Sequence, residues 1–179
     1  MHRTLLAYLA LAGFAIGCST AAAPTFVDGD DCADVSHEPL RRTEATLHFD
    51  SGKQVDVDAE VASTTDEHLQ GLMCRSEVPP GTGMLFLFDS ERIGQFWMFN
   101  THVDLDIAYI SADGTIADLK RMTSCRRDGE TRDEWSQRCF GESVSYAPSR
   151  GYTATLELPA DWLASVGENG GALTRVTWN

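Results

Sequence analysis

Four polar residues at alternate positions make up the part of this sequence that is best suited to chemistry. They are Asn100, His102, Asp104 and Asp106. If the segment is extended, their side chains point to the same side of the chain. An imidazole and two carboxylates on one side could bind Zn²⁺ or another divalent cation, or act as general acid and base. The alternative is a solvated strand or loop, in which Asn100 and Asp106 satisfy backbone groups and the other carboxylate caps a turn.

The start of the chain has the pattern of an export signal. Arg3 precedes an unbroken apolar run over residues 5–16, and Cys18 follows shortly after. The run is shorter than the ~20 residues that a membrane-spanning helix needs, and a small residue before a Cys resembles the lipobox of bacterial lipoproteins. We therefore predict a signal peptide over residues 1–17, lipidation of Cys18, and a flexible acidic tether over residues 18–42. A plain secretory signal and a retained anchor are the alternatives.

All three alternatives place the rest of the chain, residues 43–179, outside the cytoplasm as a single β-rich domain. The lipidated form predicts a protein anchored in the cell envelope and facing the periplasm. Ser19, directly after the lipidated Cys, favours the outer membrane if the bacterium is Gram-negative.

Four cysteines remain after the leader, namely Cys32, Cys74, Cys125 and Cys139. An even number of cysteines in an oxidising compartment predicts two disulfides, for which three pairings exist. Pairing Cys125 with Cys139 would close a polar insert and add roughly 3 kcal/mol, and Cys32 would then join the tether to Cys74. A thiolate metal site is the competing interpretation, although no two of these cysteines lie within four residues of each other.

The charge of the chain excludes one class of partner. Its 27 acidic residues outnumber 14 Lys and Arg, which gives a formal net charge of −13. Such a protein repels nucleic acids and anionic lipid headgroups. We therefore expect no nucleic-acid partner, and membrane attachment only through the lipid.

Hydrophobic periodicity predicts a fold that is mostly β. Apolar residues alternate over residues 54–61, which predicts a half-buried strand paired with residues 46–49. Thr64 and Glu67 form a capping box for a helix over residues 66–74. The continuous apolar run of residues 84–88 is typical of a strand that is buried on both faces.

The later part of the chain continues the same pattern of short strands. Further strands are predicted near residues 107–110, 115–119, 152–158 and 172–178, with a short helix after Pro159, whereas residues 126–138 show no regular period. If the aromatic run of residues 95–99 is one more strand, alternation sends Phe96 and Met98 to one side and Trp97 and Phe99 to the other. One set would then be core, and the other would be covered by a helix or form a ligand or partner surface. The predicted fold class is α+β, mostly β: a compact antiparallel β-barrel or curled sheet with two short helices.

Four segments in a fixed order connect the chain with a known family. They are residues 71–75 (GLMCR), 83–88 (GMLFLF), 96–101 (FWMFNT), and 105–107 (LDI) followed by 113–116 (DGTI). Together they resemble the domain-of-unknown-function 192 family over about residues 55–178. The resemblance implies a small β-rich domain, often with a signal peptide or lipid anchor, for which no activity is established.

The resemblance also marks a candidate site, which consists of Arg75, Trp97, Asn100 and Asp106. Arg75 follows the first predicted helix, where its positive charge would cap the end of the helix. The alternative is that Arg75 binds an anion. Asp104 stands where the family usually has Pro. A metal site of His102, Asp104 and Asp106 would therefore be particular to this chain.

The family supports one disulfide, because some members have a Cys pair where Cys125 and Cys139 fall. Familiar catalytic motifs are missing from the sequence, including G-x-S-x-G, H-E-x-x-H and C-x-x-C. Our leading hypothesis is a non-enzymatic module that binds a small ligand or an envelope protein and needs no cofactor. The alternatives are an extracytoplasmic metal-binding protein that uses His102, Asp104 and Asp106 or the methionines, and a hydrolase or transferase of uncharacterised type.

Overall fold

The computed structural model describes residues 23–167 and 171–179, and within them seven strands form one sheet. The predicted signal peptide and lipidation site lie outside the described residues. The elements, in chain order, are β1 (Arg42–Phe49), β2 (Gln54–Ala62), α1 (Thr65–Gln70), β3 (Thr82–Arg92), β4 (Leu105–Ile110), β5 (Ile116–Met122), α2 (Arg132–Ser143), β6 (Tyr152–Pro159), α3 (Trp162–Gly167) and β7 (Leu173–Trp178).

The sheet is curled and mostly antiparallel, which confirms the predicted fold class. Its strand order is β5-β4-β6-β3-β2-β1-β7, and the pairing of β2 with β3 is parallel. The two edges come together where Thr115 bridges Arg175, and the amide of Val176 donates to the carbonyl of Gly114 at 2.9 Å. The curl therefore brings the first and last strands of the order into contact.

Both faces of this sheet are buried. One face fills the inside of the curl with small and branched side chains such as Leu47, Val57, Leu85, Leu156 and Val176. The other face carries larger side chains, among them Met84, Phe86, Ile107, Tyr109 and Tyr152. A sheet with two apolar faces requires a covering layer on its outside.

Loops and α2 supply that outer layer, and here two sequence predictions were wrong. Residues 95–99 are not a strand: they cross the outer face as an irregular segment, so both alternate sets of their aromatic side chains are wholly or partly buried. Residues 126–138 are not irregular, because Thr131 and Glu134 form a capping box that starts α2. The helix buries few side chains, chiefly Trp135 and Cys139, and so has too narrow an apolar stripe to be recognised by period.

The first helix follows its predicted capping box but is shorter than expected. Thr64 and Glu67 cap each other as predicted, and α1 ends at Gln70. Gly71 then adopts φ +48°, and a Cβ at this position would lie 3.3 Å from the ring of Phe86. The glycine therefore both ends the helix and lets the chain approach the sheet closely. None of the helices in the described part of the chain is both long and apolar enough to cross a membrane.

One acidic side chain is buried in the outer core. Glu157 lies on β6 opposite Met84 and Ile107 and is 4% exposed. Burial alone raises its pKa to about 8. The folded protein therefore holds this carboxyl in its neutral form at pH values where the unfolded chain would ionise it.

We predict that Glu157→Gln removes a pH dependence of stability. A folded pKa of about 8, against 4.5 unfolded, means that stability falls as pH rises between these values, by up to ~1.4 kcal/mol per unit. Urea unfolding should show that the free energy of unfolding falls less between pH 5 and pH 8 in Glu157→Gln than in the parent. Glu44→Gln, an exposed change of equal charge on β1, should match the parent, and equal losses in all three proteins would contradict the prediction.

Candidate functional site

The segments singled out by the sequence meet at one point on the outer face, which we call the junction. It consists of residues 26–32, residues 74–75 and residues 100–102. A disulfide joins Cys32 to Cys74, with a Cα–Cα distance of 5.8 Å. The second predicted disulfide, Cys125–Cys139, is also present and ties α2 to the segment that follows β5.

Asn100 holds the three parts of the junction together. Its φ is +54°, a left-handed conformation that Asn tolerates better than most residues. Its side-chain Nδ2 donates to the carbonyl of Asp31 at 2.7 Å, and its own carbonyl accepts from the amide of Cys74 at 2.8 Å. The structure thus gives Asn100 the backbone-satisfying role that the sequence offered as the alternative to chemistry.

His102 lies beside Asn100, but the two aspartates of the predicted metal site have other partners. A ring nitrogen of His102 lies 3.1 Å from Oδ1 of Asn100. The Asp104 carboxylate accepts from the amide of Ser124 at 2.7 Å, whereas Asp106 pairs with Arg121. Burial, together with the nearby Arg126, lowers the pKa of His102.

These positions do not assemble the polar row that alternation suggested. Residues 100–104 are irregular rather than extended, and β4 begins only at Leu105. His102 therefore faces the junction, while Asp106 lines a different, more open groove of about 430 Å³ together with Leu119, Arg121 and Leu163.

Arg75 forms a buried ion pair rather than the helix cap that its sequence position suggested. Its guanidinium donates to Glu60 at 2.7 Å, and the two side chains are 4% and 9% exposed. The capping prediction was wrong because α1 ends at Gln70, five residues earlier. The guanidinium also lies 4.6 Å from the ring centre of Phe26, and its Nε has no hydrogen-bond partner among the described residues.

A small cavity of about 140 Å³ adjoins this ion pair. Its charged lining consists of two arginines and two glutamates, Arg42, Arg75, Glu60 and Glu77. The remaining wall is mostly apolar or small, and part of it comes from Ala23, Pro24 and Thr25. The cavity is thus a bipolar site with equal numbers of cationic and anionic groups.

The segment before β1 packs on the domain and closes one side of this cavity. The amide of Val27 donates to the carbonyl of Cys74 at 2.8 Å, and the amide of Ser76 donates to that of Thr25 at 3.0 Å. Farther on, Gln70 bonds both backbone groups of Ser36. Residues 23–41, expected to be part of a flexible tether, therefore lie against the folded domain.

Trp97 has a packing role in the outer layer. It is half-buried and stacks on Phe99, with ring centres 5.0 Å apart. Phe99 in turn packs against Trp135 of α2, with ring centres 4.2 Å apart. Of the four candidate residues from the family motif, Asn100 and Arg75 flank the same disulfide, Trp97 covers the core, and Asp106 lies apart.

Sequence reasoning missed the acidic partner of Arg75. Glu60 continues the polar alternation of Asp56 and Asp58 along β2, which is the pattern of a solvated face. The available signal was the neighbouring strand: β3 is apolar throughout residues 84–88, so both faces of the sheet are covered. An acid at the covered end of β2 needs a cation, and the adjacent family motif supplies Arg75.

We predict that breaking the buried ion pair costs far more than breaking an exposed one. Arg75→Met leaves Glu60 buried without its strongest partner and should lower the free energy of unfolding by about 3–5 kcal/mol. The double variant with Glu60→Leu should regain much of that loss. Arg121→Met, which breaks the more exposed pairs with Asp106 and Asp161, should cost about 1 kcal/mol or less. Urea unfolding of the four proteins tests this, and equal losses for both single variants would refute it.

Comparisons with known proteins identify the family. No curated protein matches the chain. One similar solved structure is a candidate transcription regulator from Sinorhizobium meliloti 1021, with 25% identity and a TM-score of 0.63 over 79% of this chain and 96% of that one. Another is a protein of unknown function from Novosphingobium aromaticivorans DSM 12444, with 26% identity and a TM-score of 0.57 over 88% of this chain and 94% of that one. The family model of DUF192, described as "Uncharacterized ACR", matches residues 47–175. The chain therefore belongs to the DUF192 family.

Proposed function

We propose that this protein is an envelope-anchored, non-enzymatic module that binds a small bipolar ligand in the cavity beside the Arg75–Glu60 pair. The observation that carries the proposal is the buried Arg75–Glu60 pair at the wall of the cavity, with an arginine Nε that has no partner among the described residues. Buried polar groups are normally satisfied. The cavity therefore adjoins a guanidinium whose hydrogen bonding is incomplete among the described residues, and a polar ligand bound there would lie beside it.

The chemistry of the lining restricts the ligand. The two guanidinium groups suit an anionic group such as a carboxylate or phosphate, whereas Glu60 and Glu77 suit a cationic group. A volume of about 140 Å³ is close to that of an engineered cavity that admits benzene. A molecule of that size with one positive and one negative group would match both signs of charge in the lining, where Arg42 also pairs with Asp58 and Arg75 with Glu60.

Two features support the proposed location. The leader has the pattern of a lipoprotein signal, and two disulfides are typical of an oxidising compartment. Because the chain lines the cavity from Ala23 onward, only residues 18–22 would separate the lipid from the domain. At ~3.6 Å per residue they span at most about 18 Å, so the anchor would hold the cavity close to the membrane surface.

The regulator function named for the similar Sinorhizobium meliloti protein is not part of this proposal. A formal net charge of −13 opposes binding to nucleic acid. The alternatives that relied on Asp106 also lose support, since its carboxylate pairs with Arg121 and accepts from the amide of Asp161.

Side-chain NMR of Arg75 provides a direct test of ligand binding. The probes are glycine, which carries both charges, and acetate and methylammonium, which carry one each. We expect glycine alone to shift the Nε–H signal of Arg75 saturably, with a Kd below about 10 mM. Glu77→Gln removes one anionic group from the cavity and should weaken glycine binding roughly tenfold, about 1.4 kcal/mol.

Glu44→Gln, on the exposed side of β1, is the matched control and should bind glycine like the parent. The amide spectrum shows in the same experiment that each variant is folded. No saturable shift with any of the three probes, in protein that is folded, would contradict the proposal. Equal binding of acetate and glycine would contradict its bipolar character.

A further inference from the structure

The Cys32–Cys74 disulfide has an imidazole beside it. The two Sγ atoms and a ring nitrogen of His102 lie within 4.8 Å of one another, and this is the one group of three potential metal ligands from His, Cys, Asp and Glu that meets this distance among the described residues. His102 is only partly buried, so the cluster has a route to solvent. As a disulfide the two sulfurs are weak ligands, whereas two thiolates and an imidazole form a ligand set for soft cations.

Contacts other than the sulfur–sulfur bond also keep the two cysteines together. On one side, Cys74 is held by backbone hydrogen bonds to Val27 and Asn100, both at 2.8 Å. On the other, Asn100 Nδ2 holds the carbonyl of Asp31, the residue before Cys32, at 2.7 Å. Reduction would therefore leave the two sulfurs as neighbours rather than release them.

We propose that reduction of Cys32–Cys74 by a dithiol creates a Cys₂His site for Cu(I). Two electrons from the dithiol break the sulfur–sulfur bond, each cysteine sulfur takes up a proton, and the reductant becomes a disulfide. Cu(I) then displaces both thiol protons and is bound by two thiolates and the neutral imidazole of His102. Three ligands suit the low coordination number of Cu(I), and soft thiolates favour it.

The surroundings match the charge of such a complex. Two thiolates and one Cu(I) carry a net charge of −1. Arg126 lies beside the site, where its Nε donates to the carbonyl of His102 at 3.1 Å, and supplies a compensating positive charge. This site uses neither Arg75 nor Glu60, so it stands or fails independently of the ligand cavity.

The second disulfide provides a matched control within the same chain. Cys125 Sγ lies 2.9 Å from the guanidinium of Arg138, and no His of the described chain joins that pair in a three-ligand group. This guanidinium donates to the sulfur itself and so competes with a metal ion for it, whereas Arg126 donates to a backbone carbonyl beside the first pair. Reduction of Cys125–Cys139 should therefore create no comparable site.

The test uses the exported chain with Cys18→Ser, which removes the fifth thiol. The protein is reduced with a phosphine, freed of reductant without oxygen, and given one equivalent of Cu(I) in competition with a chromophoric Cu(I) chelator. Native mass spectrometry gives the stoichiometry, and thermal unfolding shows whether the metal stabilises the fold. We expect one Cu(I) per reduced chain, none in the oxidised chain, and a higher unfolding midpoint with metal.

Two variants decide between this site and unspecific thiol binding. Cys125→Ser with Cys139→Ser should keep Cu(I) binding, whereas His102→Gln should weaken it at least tenfold. Equal affinity of the His102→Gln variant would overturn the proposal, as would loss of binding in the Cys125 and Cys139 variant. If the reduced chain unfolds, refolding by Cu(I) that requires His102 supports the proposal, and binding to the unfolded chain regardless of His102 overturns it.

Discussion

The rest of the structure depends on a sheet that is apolar on both faces. Curling buries one face, because strands from the two edges of the sheet meet around it. The other face carries its largest aromatic side chains and cannot be covered by the sheet itself. Segments with little regular structure of their own must therefore cross it and be held there, and the junction is where two of them cross.

Several independent contacts hold these covering segments in place. Asn100 in a left-handed conformation joins residues 26–32 to the turn after α1. Each of the two disulfides ties one covering segment to its neighbour. The buried pair of Arg75 and Glu60 then connects the junction to the sheet. The charged cavity and the sulfur–imidazole cluster both arise at this crossing, where polar groups are brought into the interior to hold the chain.

The regular strands were predictable from sequence, but the covering layer was not. Alternation of apolar and polar residues predicted β2, and the continuous apolar run of residues 84–88 predicted β3 with both faces buried. In contrast, α2 has only a narrow buried stripe around Trp135 and is fixed by a disulfide, so hydrophobic period could not reveal it. The prediction that the polar residues from Asn100 to Asp106 share one side of the chain was wrong for a related reason. Alternation implies a shared side only in extended chain, and the chain becomes extended only at Leu105.

Amide hydrogen exchange in the segment before β1 tests the central claim most directly, namely that this segment is part of the folded domain and closes the cavity. The amides of Val27 and Ser76 bond across the junction to Cys74 and Thr25, so in the oxidised protein they should exchange far more slowly than in an unstructured chain. Protection at these two amides, close to that of the neighbouring strand β2, is the predicted result. Exchange of Val27 and Ser76 at the rate of a free peptide would contradict the account, because the wall of the cavity would then be absent in solution.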